Sequence, residues 1–268
     1  MYTTSSDRRE RALVTGACSG IGLALAHGLA ERGYDLVVVS NREGPLSEAA
    51  AEISARYGVQ VMTVTQDLST DDAAQRLYES VCAHNIQIDI LINNAGIFFF
   101  GEVADADPLA AARMLKLHVV TPSLLCTYFS KDMRTRRKGR IMMVSSISAF
   151  RDFPGIAYYG SSKKYLLGFA RALRSELAVY GVSVTCLLPG ATATGLYDPQ
   201  VVPVELAKNL GVMADTEEVA ELGLGALFAG QAVVIPGLLN RVLCRVAQGV
   251  PQSMIDLARR HAPWLPKR

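Results

Sequence analysis

Apolar residues along this chain follow two rhythms. Short, nearly continuous apolar runs fall near 11–15, 35–40, 59–65, 88–93, 140–145, 182–188 and 232–235. Between them lie longer stretches with apolar residues at helical spacing, near 21–32, 46–57, 70–84, 108–133, 156–180 and 215–229. The short runs read as strands and the long stretches as helices. Their alternation predicts βαβ units and a parallel sheet, with right-handed crossovers that set helices on both faces. The expected fold class is therefore α/β, a single doubly wound Rossmann-type parallel sheet of about seven strands. No internal repeat, low-complexity tract or linker breaks the pattern. A flexible arm, polar and charged, is expected over 1–10, ahead of the main domain, which spans 11–237, and a tail over 238–268 follows it.

Composition narrows the class. The chain has 268 residues, half of them hydrophobic and 19% charged, enough for one large core and unlike a disordered chain. A net charge of +2 is too small to suggest nucleic-acid binding. No uninterrupted apolar stretch of about 18 residues predicts a membrane span. Residues 1–10 lack a signal-peptide core, and Cys18, Cys82, Cys126, Cys186 and Cys244 are scattered without metal spacing. The expectation is reduced thiols, no metal and a cytoplasmic location.

Two local patterns carry chemistry. Thr15-Gly16-Ala17-Cys18-Ser19-Gly20-Ile21-Gly22 links the first strand to the first helix. Such a turn offers backbone N–H groups and the positive end of a helix to a pyrophosphate, and its glycines let the backbone come close. Tyr159 and Lys163 stand four residues apart on a predicted helix, so they share one face. A fixed ammonium lowers the pKa of a neighbouring phenol from its ordinary value of about 10, making it a usable acid or base. Ser146, thirteen residues upstream of Tyr159, could hold a carbonyl or alcohol oxygen beside that phenol. Tyr158 and Lys164 have no partner at this spacing.

In order along the chain stand Thr15-Gly16-x-x-x-Gly20-x-Gly22, Asp67-Leu68, Asn93-Asn94-Ala95-Gly96, Ser146, Tyr159-x-x-x-Lys163 and Pro189-Gly190. Together they resemble the short-chain dehydrogenase/reductase family, over roughly Arg11 to Gly237. The resemblance makes 11–237 a dinucleotide-binding catalytic domain. It implies hydride transfer between a nicotinamide cofactor and a carbonyl or secondary alcohol, with Tyr159 as general acid/base, Ser146 holding the oxygen, and Lys163 tuning Tyr159 and binding the nicotinamide ribose. Gly16, Ser19, Gly20, Ile21 and Gly22 would cradle the pyrophosphate. Asp67 and Leu68 would meet the adenine, Asn94, Ala95 and Gly96 would flank the adenosine, and Pro189, Gly190, Thr192 and Thr194 would bind the nicotinamide amide. Asp67 also reads as a cap ahead of Ser69-Thr70-Asp71.

The second strand ends in Ser40-Asn41-Arg42. An acid there would bond a ribose 2′-hydroxyl and repel a 2′-phosphate, whereas a guanidinium suits the phosphate. NADP(H) is favoured, with NAD(H) the alternative. His118 falls where the family places an Asn. A neutral imidazole can donate and accept hydrogen bonds and titrates near neutrality, so His118 is either a proton relay or a helix-packing side chain.

Phe98, Phe99, Phe100, Phe150, Phe153, Pro154 and Ile156 flank these motifs, which suggests a small apolar carbonyl or alcohol substrate. The stretch 195–212 would cover it. The tail 238–268, apolar with basic insertions, is expected to pack as helix on the domain or against a second subunit of a homodimer or homotetramer, with weak membrane contact as the alternative. A non-catalytic sensor or scaffold that binds NADP(H) competes with the enzyme, and a 3-oxoacyl thioester competes with other ketones as substrate.

Overall fold

The structure, a computed structural model, describes residues 8–192, 213–254 and 257. Thr194 and the stretch 195–212 lie outside these residues, as do Trp264, Leu265, Lys267 and Arg268. Seven strands run β1 Arg11–Thr15, β2 Asp35–Ser40, β3 Val61–Thr65, β4 Ile90–Asn93, β5 Gly139–Val144, β6 Val182–Leu187 and β7 Val233–Val234. They form one sheet in the order β3-β2-β1-β4-β5-β6-β7, and every pairing is parallel. The chain steps outward from β1 to β3, then returns to β4 on β1's other side. That reversal opens a crevice at the carboxyl ends of β1 and β4.

The helices are α1 Gly20–Glu31, α2 Glu43–Tyr57, α3 Ala73–Ala83, α4 Pro108–Leu115, α5 Thr121–Arg136, α6 Ala157–Ala178, α7 Thr216–Phe228 and α8 Leu238–Gly249. Alternation along each strand divides the core into two layers. Leu13, Val37, Val39, Leu91, Ile141 and Met143 face α3, α5 and α6. Ala12, Val14, Leu36, Val38, Met142 and Val144 face α1, α2 and α7.

α4 and α5 form one continuous helix through a π turn at Lys116–Val120. Pro122 follows that turn. It has no N–H for the carbonyl of His118, four residues back, and its ring crowds that carbonyl, so regular α geometry is lost there. By length and composition Pro108–Arg136 could cross a membrane. In the fold its Leu125, Cys126, Phe129 and Met133 fill the core beneath the sheet, while Leu109, Leu115, Val120 and Leu124 are exposed.

The arm ends earlier than expected, and the tail begins as a helix at Leu238, as expected. The arm predicted over 1–10 is tied down from Arg8: its guanidinium grips buried Asp89 with two bonds of 2.9 Å, and Arg9 donates to the Gly58 carbonyl at 2.8 Å. The described part of the tail packs on the domain along one narrow edge only. Cys244 is buried, but the apolar side chains of α8 point outward.

Candidate active site

The phosphate turn is shaped by contact between backbones. Gly16 adopts φ +68°, and a Cβ on Gly22 would lie 2.2 Å from the Gly16 carbonyl oxygen and 2.4 Å from Asn94 Nδ2. Only a residue without a side chain fits at that crossing. Asn94 Nδ2 donates to the carbonyls of Thr15 at 2.9 Å and Gly16 at 3.3 Å. Thr15 Oγ1 accepts from the N–H groups of Asn94 and Ala95 at 2.9 and 3.0 Å. The ends of β1 and β4 are thus locked together, and the N-terminus of α1 opens toward the space they frame.

Beyond the end of β2, Arg42 turns back over the glycine loop. Its Nη2 donates to Ser19 Oγ at 2.8 Å and to Cys18 Sγ at 3.1 Å, while Cys18 Sγ and Ser40 Oγ are 2.9 Å apart. Burial raises the Cys18 thiol, but the bonds with Ser40 and Arg42 and the Arg42 charge outweigh it, so the net shift is downward. Asp67 is divided between two partners. Its Oδ1 accepts from Ser69 N at 2.9 Å and Oγ at 2.7 Å, and its Oδ2 accepts from Arg113 at 3.3 Å. Burial raises its pKa, yet these bonds hold the carboxyl below the usual range. The expected cap therefore closes the turn at Ser69, whereas α3 begins later, at Ala73.

At the other end of the cleft, Ser146 caps a short 3₁₀ turn, Ile147–Phe150, accepting at Oγ from Ser148 N at 3.2 Å. Ile147 N donates to the Pro189 carbonyl at 3.0 Å, fixing that turn to the end of β6. Lys163 is buried on α6, its Nζ 3.1 Å from the Val144 carbonyl and 5.6 Å from the centre of the Tyr159 ring. Burial pushes the ammonium down to about 8, partly offset by Cys186. Phe98 meets Tyr159 edge-on at 5.0 Å between ring centres, and His118 does so at 5.7 Å.

His118 is buried, and both of its ring nitrogens are committed. Ile97 N–H donates to Nε2 at 3.0 Å, so Nε2 carries the lone pair and the proton sits on Nδ1. Nδ1 donates to Ser162 Oγ at 2.9 Å, and Ser162 donates to the Tyr159 carbonyl at 2.7 Å. Burial holds the imidazole well below the usual histidine range, and the Lys163 charge adds to that. The ring is a neutral brace between the Gly96–Ile97 segment and the helix bearing Tyr159, not a group that titrates near neutrality.

These elements enclose a cleft of about 450 Å³. It is lined by Gly16, Ser19, Gly20, Ile21, Gly22, Ser40, Asn41, Arg42, Asp67, Leu68, Asn94, Ala95, Gly96, His118, Ser146, Tyr159, Lys163, Pro189, Gly190 and Thr192. All of these were singled out from the sequence. Gln66, Ile97, Leu117, Val144 and Ser145 also line it. Of these, only Ser145 carries a visible signal, as the first of a serine pair; its Oγ donates to the Lys163 carbonyl at 2.7 Å.

The sequence matches the short chain dehydrogenase family over residues 10–201. The chain belongs to the short-chain dehydrogenase/reductase family. It is 32% identical over 216 residues to YmfI of Bacillus subtilis (strain 168), known as an uncharacterized oxidoreductase, covering 78% of this chain and 88% of that one. It is 34% identical over 184 residues to dehydrogenase/reductase SDR family member 4 of Homo sapiens, covering 68% of this chain and 66% of that one. Among solved structures, a short-chain dehydrogenase from Sphingobium yanoikuyae in complex with NADPH superposes with a TM-score of 0.80 at 26% identity, covering 92% of this chain and 95% of that chain. As a member of this family the protein is an oxidoreductase that binds NAD(P)(H). The cleft suits such a ligand on its own evidence: a glycine crossing that any Cβ would fill, a helix N-terminus, and a guanidinium held beside two hydroxyls.

Proposed function

We propose that this short-chain dehydrogenase/reductase reduces the carbonyl of a small apolar substrate with NADPH, or oxidises the corresponding alcohol. The observation that carries this reading is the convergence of Ser146, Tyr159 and Lys163 at one end of a cleft whose other end is the phosphate turn. A bound nicotinamide supplies or accepts the hydride. The Ser146 hydroxyl holds the substrate oxygen, and Tyr159 gives it a proton as negative charge develops. Lys163, buried and cationic below about pH 8, sits against the Tyr159 ring and favours release of the phenol proton. A protein that only sensed the cofactor would have no need of this trio. Tyr159→Phe should lower turnover by about a hundredfold or more while leaving cofactor affinity nearly unchanged. Substantial remaining turnover would remove Tyr159 from the chemistry.

NADP(H) is favoured because the end of β2, where an acid would bond a ribose 2′-hydroxyl, carries Ser40, Asn41 and Arg42 instead, with Arg42 held to Ser19. The NADPH complex of the Sphingobium yanoikuyae relative supports the same choice. Arg42→Ala should cut the preference for NADPH over NADH by about tenfold, the value of one charge-assisted bond. An unchanged ratio of kcat/KM values would assign the discrimination elsewhere.

The aromatic side chains argue for an apolar substrate. Phe98 packs edge-on to Tyr159, and the exposed Phe100 ring lies against Gly155, four residues before Tyr159. A structural neighbour at 26% identity is the bulky-bulky ketone specific alcohol dehydrogenase from Comamonas testosteroni, which supports a ketone as the group reduced. Reduction of a 3-oxoacyl thioester is the second reading.

A further inference from the structure

α8 is mounted the wrong way round for a helix of a protein surrounded by water. At about 100° per residue, Leu238, Leu239, Val242, Leu243 and Val246 share one face, and their exposures run from 48% to 76%. The side turned to the domain carries Asn240 and Cys244 instead. Asn240 Nδ2 donates to the Pro236 carbonyl at 2.9 Å, its side chain lies over Gly190, and Cys244 is 4% exposed. A helix on a protein core ordinarily turns its apolar stripe inward. Here the stripe faces out, and Met254 and Leu257 beyond it are exposed as well.

Charge selects what covers this face. Arg241 and Arg245 are both exposed and flank the stripe on the same side, and Arg241 is fixed there by Nε donating to the Ile235 carbonyl at 2.9 Å. α8 contains no Asp or Glu. Pairing α8 with α8 of a second copy would gather four arginines along the seam with no carboxylate from either helix to meet them. An apolar face edged by arginines fits instead the boundary of an anionic bilayer, with the stripe in the acyl region and the guanidinium groups among the headgroups.

We propose that α8 docks this enzyme on an anionic lipid surface, with Leu238, Leu239, Val242, Leu243 and Val246 inserted and Arg241 and Arg245 at headgroup level. The helix rests on the 3₁₀ turn that follows Ser146 and on Gly190, so docking brings the rim of the cleft to the lipid. This goes beyond the catalytic reading, and its test needs no turnover.

The full chain is sedimented with vesicles of phosphatidylcholine alone and of phosphatidylcholine and phosphatidylglycerol in equal parts. The proposal expects pelleting with the anionic vesicles, little with the neutral ones, and release by salt. Arg241→Gln and Arg245→Gln should each weaken binding about fivefold, the attraction of one basic residue to such a surface. The double variant Leu239→Glu, Val242→Glu should abolish binding while its thermal melt stays cooperative, which shows that it folds. Wild-type protein that stays in the supernatant with anionic vesicles at low salt overturns the proposal, as does full binding by the doubly acidic variant. Failure to pellet together with an oligomer that the doubly acidic variant dissociates, seen by sedimentation velocity, overturns it in favour of a second copy of this chain.

Discussion

A histidine usually marks a place where charge changes near neutral pH; His118 marks one where it cannot. Its Nε2 lone pair receives Ile97 N–H and its Nδ1–H is spent on Ser162. A second proton would break the first bond and place charge in a buried site beside Lys163. The sequence locates this residue but not its burial, so relay and packing side chain stay equally open until the fold encloses it. The consequence is a stability term. The folded pKa lies below the unfolded value of about 6.5, so the unfolded chain binds the extra proton, and stability is lost as pH falls through and below that value. His118→Asn has no such term. The stability gap between wild type and His118→Asn, followed by thermal melting, should narrow as pH falls from neutral toward the carboxylate range. A gap that stays constant with pH would mean that the imidazole is not held neutral.

At the scale of elements, the strands are the most legible part of the chain, because parallel strands buried on both faces read as continuous apolar runs. β1, β2, β5 and β6 lie within a residue of their expected limits. Helix ends drift further: α2 starts at Glu43 and α3 at Ala73, and neither N-cap residue, Arg42 or Asp72, makes a side-chain capping bond that would mark the start. The π turn at Lys116–Val120 has one sequence signal, Pro122, and its result is that His118 faces the cleft. The phosphate turn depends on a crossing that a single methyl would close. Gly22→Ala places Cβ against the Gly16 carbonyl and the Asn94 amide, both held by the β1–β4 lock. It should cost about 1–3 kcal/mol of stability and weaken dinucleotide binding, measured by melting and by NADPH fluorescence. A variant that binds NADPH like wild type would show that the turn opens at no cost.

For the whole molecule, the alternating pattern implies a doubly wound parallel sheet but leaves its strand order open; the glycine turn, Asp67 and the Asn94 segment each follow a predicted strand, and the observed order brings them to one crevice. Motif residues far apart in sequence are therefore legible as one site. What is not legible is how side chains pair inside it: that Arg42 reaches back to Ser19, that Asp67 also accepts from Arg113, and that Lys163 is buried. Each depends on three-dimensional proximity between segments that carry no mutual signal. Substrate shape is least legible, since fold and cofactor site do not set it. The most direct measurement is oxidation of NADPH and NADH by the full chain against an acetoacetyl thioester, a steroid ketone, an aromatic ketone and a diketone. Turnover of at least one apolar ketone is expected, faster with NADPH than with NADH. Tight NADPH binding with no turnover of any of the four would contradict it and point to a protein that binds the cofactor without catalysis.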